Sequence, residues 1–306
     1  MDTERGAACR LLVETTRRPS LPDMSEQVDH MSREFYPELD LDNKPLLYVT
    51  PNFPPVTTAE PHRDLSREGS SRNGAFTVDV KTVSGSKEEF AIKRLPLTTA
   101  LAEVAMTQYV GTQGLAPFSV QALMITGKPS GSKDRSAWIM TRFDEKAVNF
   151  EGLAWREMSS ENIKQHLMDA LLALSALHKM HIAHKDAFMR NLVRLSGSDG
   201  DNSATRYIDF EYARSFRGYV EQVDRGEDIL RAQGYINRSV QGDLRSLLID
   251  AISVLANQLN QSPADRWKLL EKCLGSYREV VSASENSPAL KGAAVHAITT
   301  LQRDYM

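Results

Sequence analysis

The chain has 306 residues, 41% hydrophobic and 25% charged, with a formal net charge of −3. A chain of this size and composition buries a core without disulfide or metal staples. Its pI of about 6.2 gives no basic excess of the kind that nucleic acid or an anionic membrane attracts.

The two cysteines, Cys9 and Cys273, have neither metal-ligand spacing nor a paired framework, which points to a reducing compartment. The opening Met-Asp-Thr-Glu-Arg has no apolar signal-peptide run. The longest apolar stretch, around 171–177, is interrupted by Ser175 and followed by His178 and Lys179. It is far short of the roughly 20 apolar residues that span a bilayer. A cytoplasmic protein with no membrane or nucleic-acid partner is therefore expected.

Residues 1–45 carry weak signals. Amphipathic pieces around 9–14 and 25–35 flank the turn-rich Arg17-Arg18-Pro19-Ser20, a sequence resembling a site for basic-directed kinases. A flexible arm is the expectation there. From about Pro45 to Phe143 the texture is strand-like. Leu46-Leu47-Tyr48-Val49 is a short apolar run, and residues 75–83 alternate apolar and polar with β-branched side chains, as a half-buried strand does. After Ser84-Gly85-Ser86-Lys87 a second strand, 88–95, closes a hairpin. A helix is predicted over 98–110, then strands over 120–126 and 137–143, with the Gly/Ser/Lys/Pro-rich 127–134 as a loop.

Beyond Asp144 the period becomes helical. Ser159, Ser160 and Glu161 read as an N-terminus, behind which Ile163, Leu167, Ala170, Leu171, Leu174 and Leu177 recur on one face. A further helix is predicted to start at Asp243, with Leu244, Leu247, Leu248, Ala251, Ile252 and Leu255 as its apolar face. Two more are expected at 263–277 and 289–303. Strands first and helices second give an α+β class with a small sheet lobe and a larger helical lobe.

The segment His184-Lys185-Asp186-Ala187-Phe188-Met189-Arg190-Asn191 follows the long apolar helix, and Tyr207-Ile208-Asp209-Phe210-Glu211 lies downstream. Phosphoryl transfer asks little of a protein. It needs a carboxylate to orient the attacking hydroxyl, hard oxygen ligands for magnesium, and a cation on the phosphates. An Asp and an Asn five residues apart on one loop can serve the nucleophile and the metal, and an Asp ending a neighbouring strand can hold the metal from the other side.

These residues resemble the protein-kinase-like superfamily: 184–191 fits the catalytic-loop pattern H-x-D-x-x-x-x-N, and Asp209-Phe210-Glu211 fits the D-F-G position. Three fixed residue types at one spacing recur by chance on the order of once in 8,000 windows. Phe90-Ala91-Ile92-Lys93 is similar to the V-A-I-K strand, and Gly69-Ser70-Ser71-Arg72-Asn73-Gly74 sits where the glycine-rich loop belongs, with Ser71 in place of its middle glycine. The likeness runs over roughly 69–255.

It implies a two-lobed kinase-like fold, with an N-terminal extension 1–45, a five-stranded N-lobe 46–143 and a helical C-lobe 144–306, and ATP between the lobes. Lys93, paired with Glu103, would hold the α- and β-phosphates, with Gly69 and Gly74 framing the phosphate loop. Asn191 and Asp209 would bind Mg²⁺, and Asp186 would orient the acceptor. Asp243 resembles the aspartate that braces the catalytic loop, though an N-cap would also explain it. His184 is expected to pack beneath the loop.

The pattern departs at several points. Glu211 replaces the glycine of D-F-G, as in choline-kinase-like enzymes. No A-P-E follows, and Lys185 replaces the usual Arg, which counts against control by activation-loop phosphorylation. The expected function is transfer of the ATP γ-phosphoryl by a divergent protein kinase. The alternatives are a small-molecule phosphotransferase, which an acidic pocket of Glu211, Glu221 and Asp224 would favour, and a nucleotide-binding pseudokinase. The surplus turn-rich run 196–203 reads as an insertion between two short strands.

Overall fold

The computed structural model describes residues 2–14, 18–29, 46–65, 74–125, 135–144, 146–195, 204–258, 262–283 and 285–305. Gly69, the 127–134 loop and the 196–203 insertion lie outside the described residues. The chain is α+β and divides into two compact units, Met1–Glu145 and Lys146–Met306. Among the described residues no helix is long and apolar enough to cross a membrane.

The first unit is built on one antiparallel sheet of β1 (Leu46–Val49), β2 (Val56–Asp64), β3 (Phe76–Thr82), β4 (Lys87–Pro96), β5 (Val120–Ile125) and β6 (Ser136–Arg142). Their order is β1-β5-β6-β4-β3-β2. Six strands replace the five expected. The extra one, β2, reads Val-Thr-Thr-Ala-Glu-Pro-His-Arg-Asp and is largely exposed. It shows no apolar alternation because it is an edge strand, and there Pro61 costs no central ladder bond. Its pairing with β3 shifts register between Pro61 and Asp64.

Two helices bury the sheet. α1 (Asp2–Glu14) inserts Ala8, Cys9 and Leu12 among Leu47, Phe53, Phe76, Val78, Phe90, Ile92, Trp138 and Met140. The expected flexible arm is thus in part a packed helix. Arg5 pairs with Asp64 at 2.8 Å, and Arg18 donates to the Leu12 carbonyl near the end of α1, where carbonyls lack helical partners. Side chains alternate along β4. Phe90 and Ile92 therefore join the α1 cluster while Lys93 projects from the opposite face. α2 (Leu97–Thr112) follows directly, burying Ala100, Leu101, Glu103, Val104 and Ala105.

The second unit is mainly helical, with α3 (Ser160–Lys179), α4 (Arg217–Asp224), α5 (Ile229–Gln258), α6 (Pro263–Val281) and α7 (Pro288–Tyr305). Ser159 caps α3, its hydroxyl accepting the Asn162 N–H at 3.2 Å. The helix expected to start at Asp243 begins instead at Ile229, so Asp243 lies in its interior and is no N-cap. Gly234, Gly242 and several polar residues mask the first half. Ala232, Ile236 and Val240 nevertheless continue the buried stripe at helical spacing.

Short strands complete the unit. β7 (Val148–Asn149), β9 (Leu192–Leu195) and β10 (Ala204–Tyr207) form one sheet, and β8 (Ile182–Ala183) pairs with β11 (Arg214–Ser215) in another. The 184–191 segment leaves β8 and enters β9. Asp209 leaves β10 and the chain returns through β11. Both chemical segments are thereby held at the ends of antiparallel pairs.

Candidate functional site

The 184–191 loop is fixed from beneath by α5. Asp243, 1% exposed, accepts the His184 N–H on Oδ2 at 2.7 Å and the Lys185 N–H on Oδ1 at 2.8 Å. The His178 Nε2 lies 3.1 Å from the same Oδ2, and its Nδ1 lies 2.6 Å from the Tyr277 hydroxyl. In the sequence His178 marks only the end of an apolar stretch, and Tyr277 carries no signal. Their contribution requires α3, α5 and α6 to converge, which no local pattern reports.

His184 is fully buried, its Nε2–H donating to the Ile208 carbonyl at 2.9 Å. Burial pushes its pKa down, partly opposed by Asp243 and the bond to Ile208. It therefore ties the loop to the strand that carries Asp209, as its expected packing role requires. Lys185 adopts the left-handed region at φ 67°, and its ammonium donates to Ser239 Oγ at 2.9 Å and lies 5.3 Å from the Tyr235 ring. Burial pushes the pKa of this lysine down as well.

Asp186 is held on both oxygens. Arg190 pairs with Oδ1 at 2.6 Å and the Asn191 amide donates to Oδ2 at 2.8 Å and to the Asp186 carbonyl at 2.9 Å. The Arg190 guanidinium also sits 4.4 Å from the Phe188 ring centre. With its amide nitrogen committed to Asp186, Asn191 has its amide oxygen to offer a hard cation. The Ile208 N–H donates to the Asn191 carbonyl at 2.9 Å, extending the β9–β10 ladder by one step. That bond seats Asp209 beside Asn191.

Asp209 itself has φ 64°. A non-glycine residue in this region costs on the order of 1 kcal/mol or more, and persists where its surroundings enforce it. Glu211 is buried at 6% exposure, whereas Glu221 and Asp224 are exposed on α4 and Glu221 faces Arg225 at 3.8 Å. The three acidic residues therefore do not share one environment: Glu211 is buried, and Glu221 and Asp224 face solvent.

In the first unit Lys93 Nζ lies 2.8 Å from Glu103 Oε2, both side chains mostly buried. Strand β4 and helix α2 thus bring together the lysine and the one acidic residue that the sequence offered as its partner. Gly74 has φ 64°, and a Cβ built there would meet nothing within 4 Å. Its backbone conformation is one that glycine adopts without strain.

No protein-family model matches the chain, and no curated protein does. Among solved structures that match is one of WaaP in complex with acyl carrier protein, 16% identical, covering 72% of this chain and 88% of that one, with a TM-score of 0.40. A likeness of that strength transfers no residue role or partner to the chain.

Proposed function

We propose that the chain is an ATP- and Mg²⁺-dependent phosphotransferase of kinase-like fold that moves the γ-phosphoryl group to a hydroxyl, with a protein as acceptor. In this reading the sheet unit is its N-lobe and the helical unit its C-lobe. The observation that carries it is the loop of Asp186 and Asn191, braced by the buried Asp243 and tied through His184 and Ile208 to a strained Asp209.

The donor set fits the cofactor. The Asn191 amide oxygen and the Asp209 carboxylate are the hard oxygens magnesium prefers. Lys93, steadied by Glu103, supplies a cation for phosphate, and Gly74 is a place where a backbone can approach one closely. When bound, the magnesium nucleotide supplies the phosphoryl group and neutralises charge on its oxygens. Asp186, aimed by Arg190 and Asn191, orients the acceptor hydroxyl and accepts its proton.

A protein acceptor is favoured over a cationic small molecule for two reasons. Glu221 and Asp224 face solvent apart from the buried Glu211, and Tyr212, Ile229 and Leu230 stand exposed after Asp209, Leu230 at 91%. Equilibrium binding of ATP with and without Mg²⁺, for wild type and Asp209→Asn, tests the cofactor assignment. Wild type should bind far more tightly with Mg²⁺, and Asp209→Asn should lose that gain. A wild type that binds no nucleotide would overturn the reading.

A further inference from the structure

Asp250 belongs to none of the motifs above. It follows Asp243 by seven residues on α5, so the two carboxylates share a face, about 10 Å apart along the axis. Asp250 Oδ2 accepts the Met189 N–H at 2.8 Å. Met189 opens the 3₁₀ turn Met189–Asn191, whose N-cap residue, Phe188, makes no side-chain capping bond. The carboxylate on α5 therefore caps this turn from another element, satisfying an N–H that the turn leaves without a partner.

The rest of the loop is held elsewhere. Asp243 fixes its entry at His184 and Lys185, and the β9–β10 ladder fixes its exit at Asn191. Between them, Asp250 holds Met189, and the Asn149 amide holds the Arg190 carbonyl. The residues so pinned are those that aim at Asp186, namely Arg190 through its guanidinium and Asn191 through its amide.

We propose that Asp250 is a positioning residue that fixes the Met189–Asn191 turn, and through it the alignment of Asn191 and Asp186 for phosphoryl transfer. The proposal rests on the phosphotransferase reading. Half-burial and the nearby Asp186 raise the pKa of Asp250, and the Met189 N–H and Arg190 oppose that rise. A carboxylate set near another at such a cost fits a role in the loop better than a role in packing.

Two variants approach the same bond from opposite sides. Asp250→Ala removes the acceptor. Met189→Pro removes the donor, and a buried side chain with it, at the first position of a turn, where proline is tolerated, and after Phe188 at φ −78° and ψ 159°, which a following proline accepts. Each should lower kcat roughly 10- to 100-fold with the KM for ATP unchanged, the usual range for lost outer-shell support. The double variant should be no worse than Met189→Pro alone, to within about twofold. Asp250→Asn, which keeps an acceptor oxygen, should restore most of the rate.

Losses that multiply in the double variant, or an unchanged kcat in Asp250→Ala, would overturn the proposal. Hydrogen exchange at the Met189 amide separates this outcome from failure of the underlying reading. It should quicken in Asp250→Ala while interior α5 amides stay protected, whether or not the enzyme turns over. Unchanged exchange removes the anchor outright. A wild type that transfers no phosphoryl group removes the phosphotransferase reading, and the positioning role with it.

Discussion

Replacing Asp243 by alanine strikes the point on which the second unit and its loop both depend. The side chain is 1% exposed and meets three donors: the N–H groups of His184 and Lys185 and the His178 ring. Each buried donor left without a partner costs about 1–3 kcal/mol. Some relief comes from water entering the vacated space, so the total should be roughly 3–6 kcal/mol. Domains of this kind are stable by about 5–15 kcal/mol, so the variant should fold with little margin. Urea unfolding followed by helical circular dichroism reports chiefly on the second unit, where α3, α5, α6 and α7 lie. With a slope near 2 kcal/mol per molar, the midpoint should fall by roughly 1.5–3 M. Asp243→Asn keeps one acceptor oxygen and should recover about half the loss. A midpoint for Asp243→Ala within about 0.3 M of wild type would refute the account of how the loop is held.

Three further outcomes follow from the same geometry. Because burial depresses the pKa of His184, its neutral form is the folded one. The stability this contributes is complete above the unfolded value of about 6.5 and is lost as pH falls below it, by up to about 1.4 kcal/mol per pH unit. Urea midpoints between about pH 5 and 8 should decline less steeply in His184→Gln, and identical slopes would contradict this. Burial pushes both Cys9 and Cys273 up to about 11, so an aromatic disulfide reagent at mild alkaline pH should label neither until denaturant is added. Rapid labelling of the native protein would contradict their burial. Glu103→Gln removes the partner of Lys93 and should reduce transfer from ATP by roughly tenfold or more, measured as kcat/KM. Full activity would show that the pair is only structural.

What was legible in the sequence was what local pattern encodes. The hairpin of β3 and β4 followed from alternation and a Ser-Gly turn, and α3 followed from its stripe and its serine cap. Asp186, Asn191 and Asp209 stood out as candidates by their spacing along one chain, and Lys93 by the likeness of its strand to V-A-I-K. Strand β2 was missed because an edge strand with one face in water has no apolar run to show. The first half of α5 was missed because two glycines hide its stripe, and that error made Asp243 look like a cap when it is a buried brace. His178, Tyr277 and Asp250 could not be read at all: each matters through a partner on another element. A carboxylate seven residues after Asp243 is the one signal that could have marked Asp250, and it acquires meaning only once both positions are known to share a helix.

The most direct test of the central claim follows the γ-phosphate. With labelled ATP and Mg²⁺, the wild-type protein should transfer label to protein, and Asp186→Ala, Asp209→Ala and Lys93→Ala should each abolish the transfer while remaining folded. Nucleotide bound with no label moved to any acceptor would contradict the claim and leave a protein that binds ATP without catalysis.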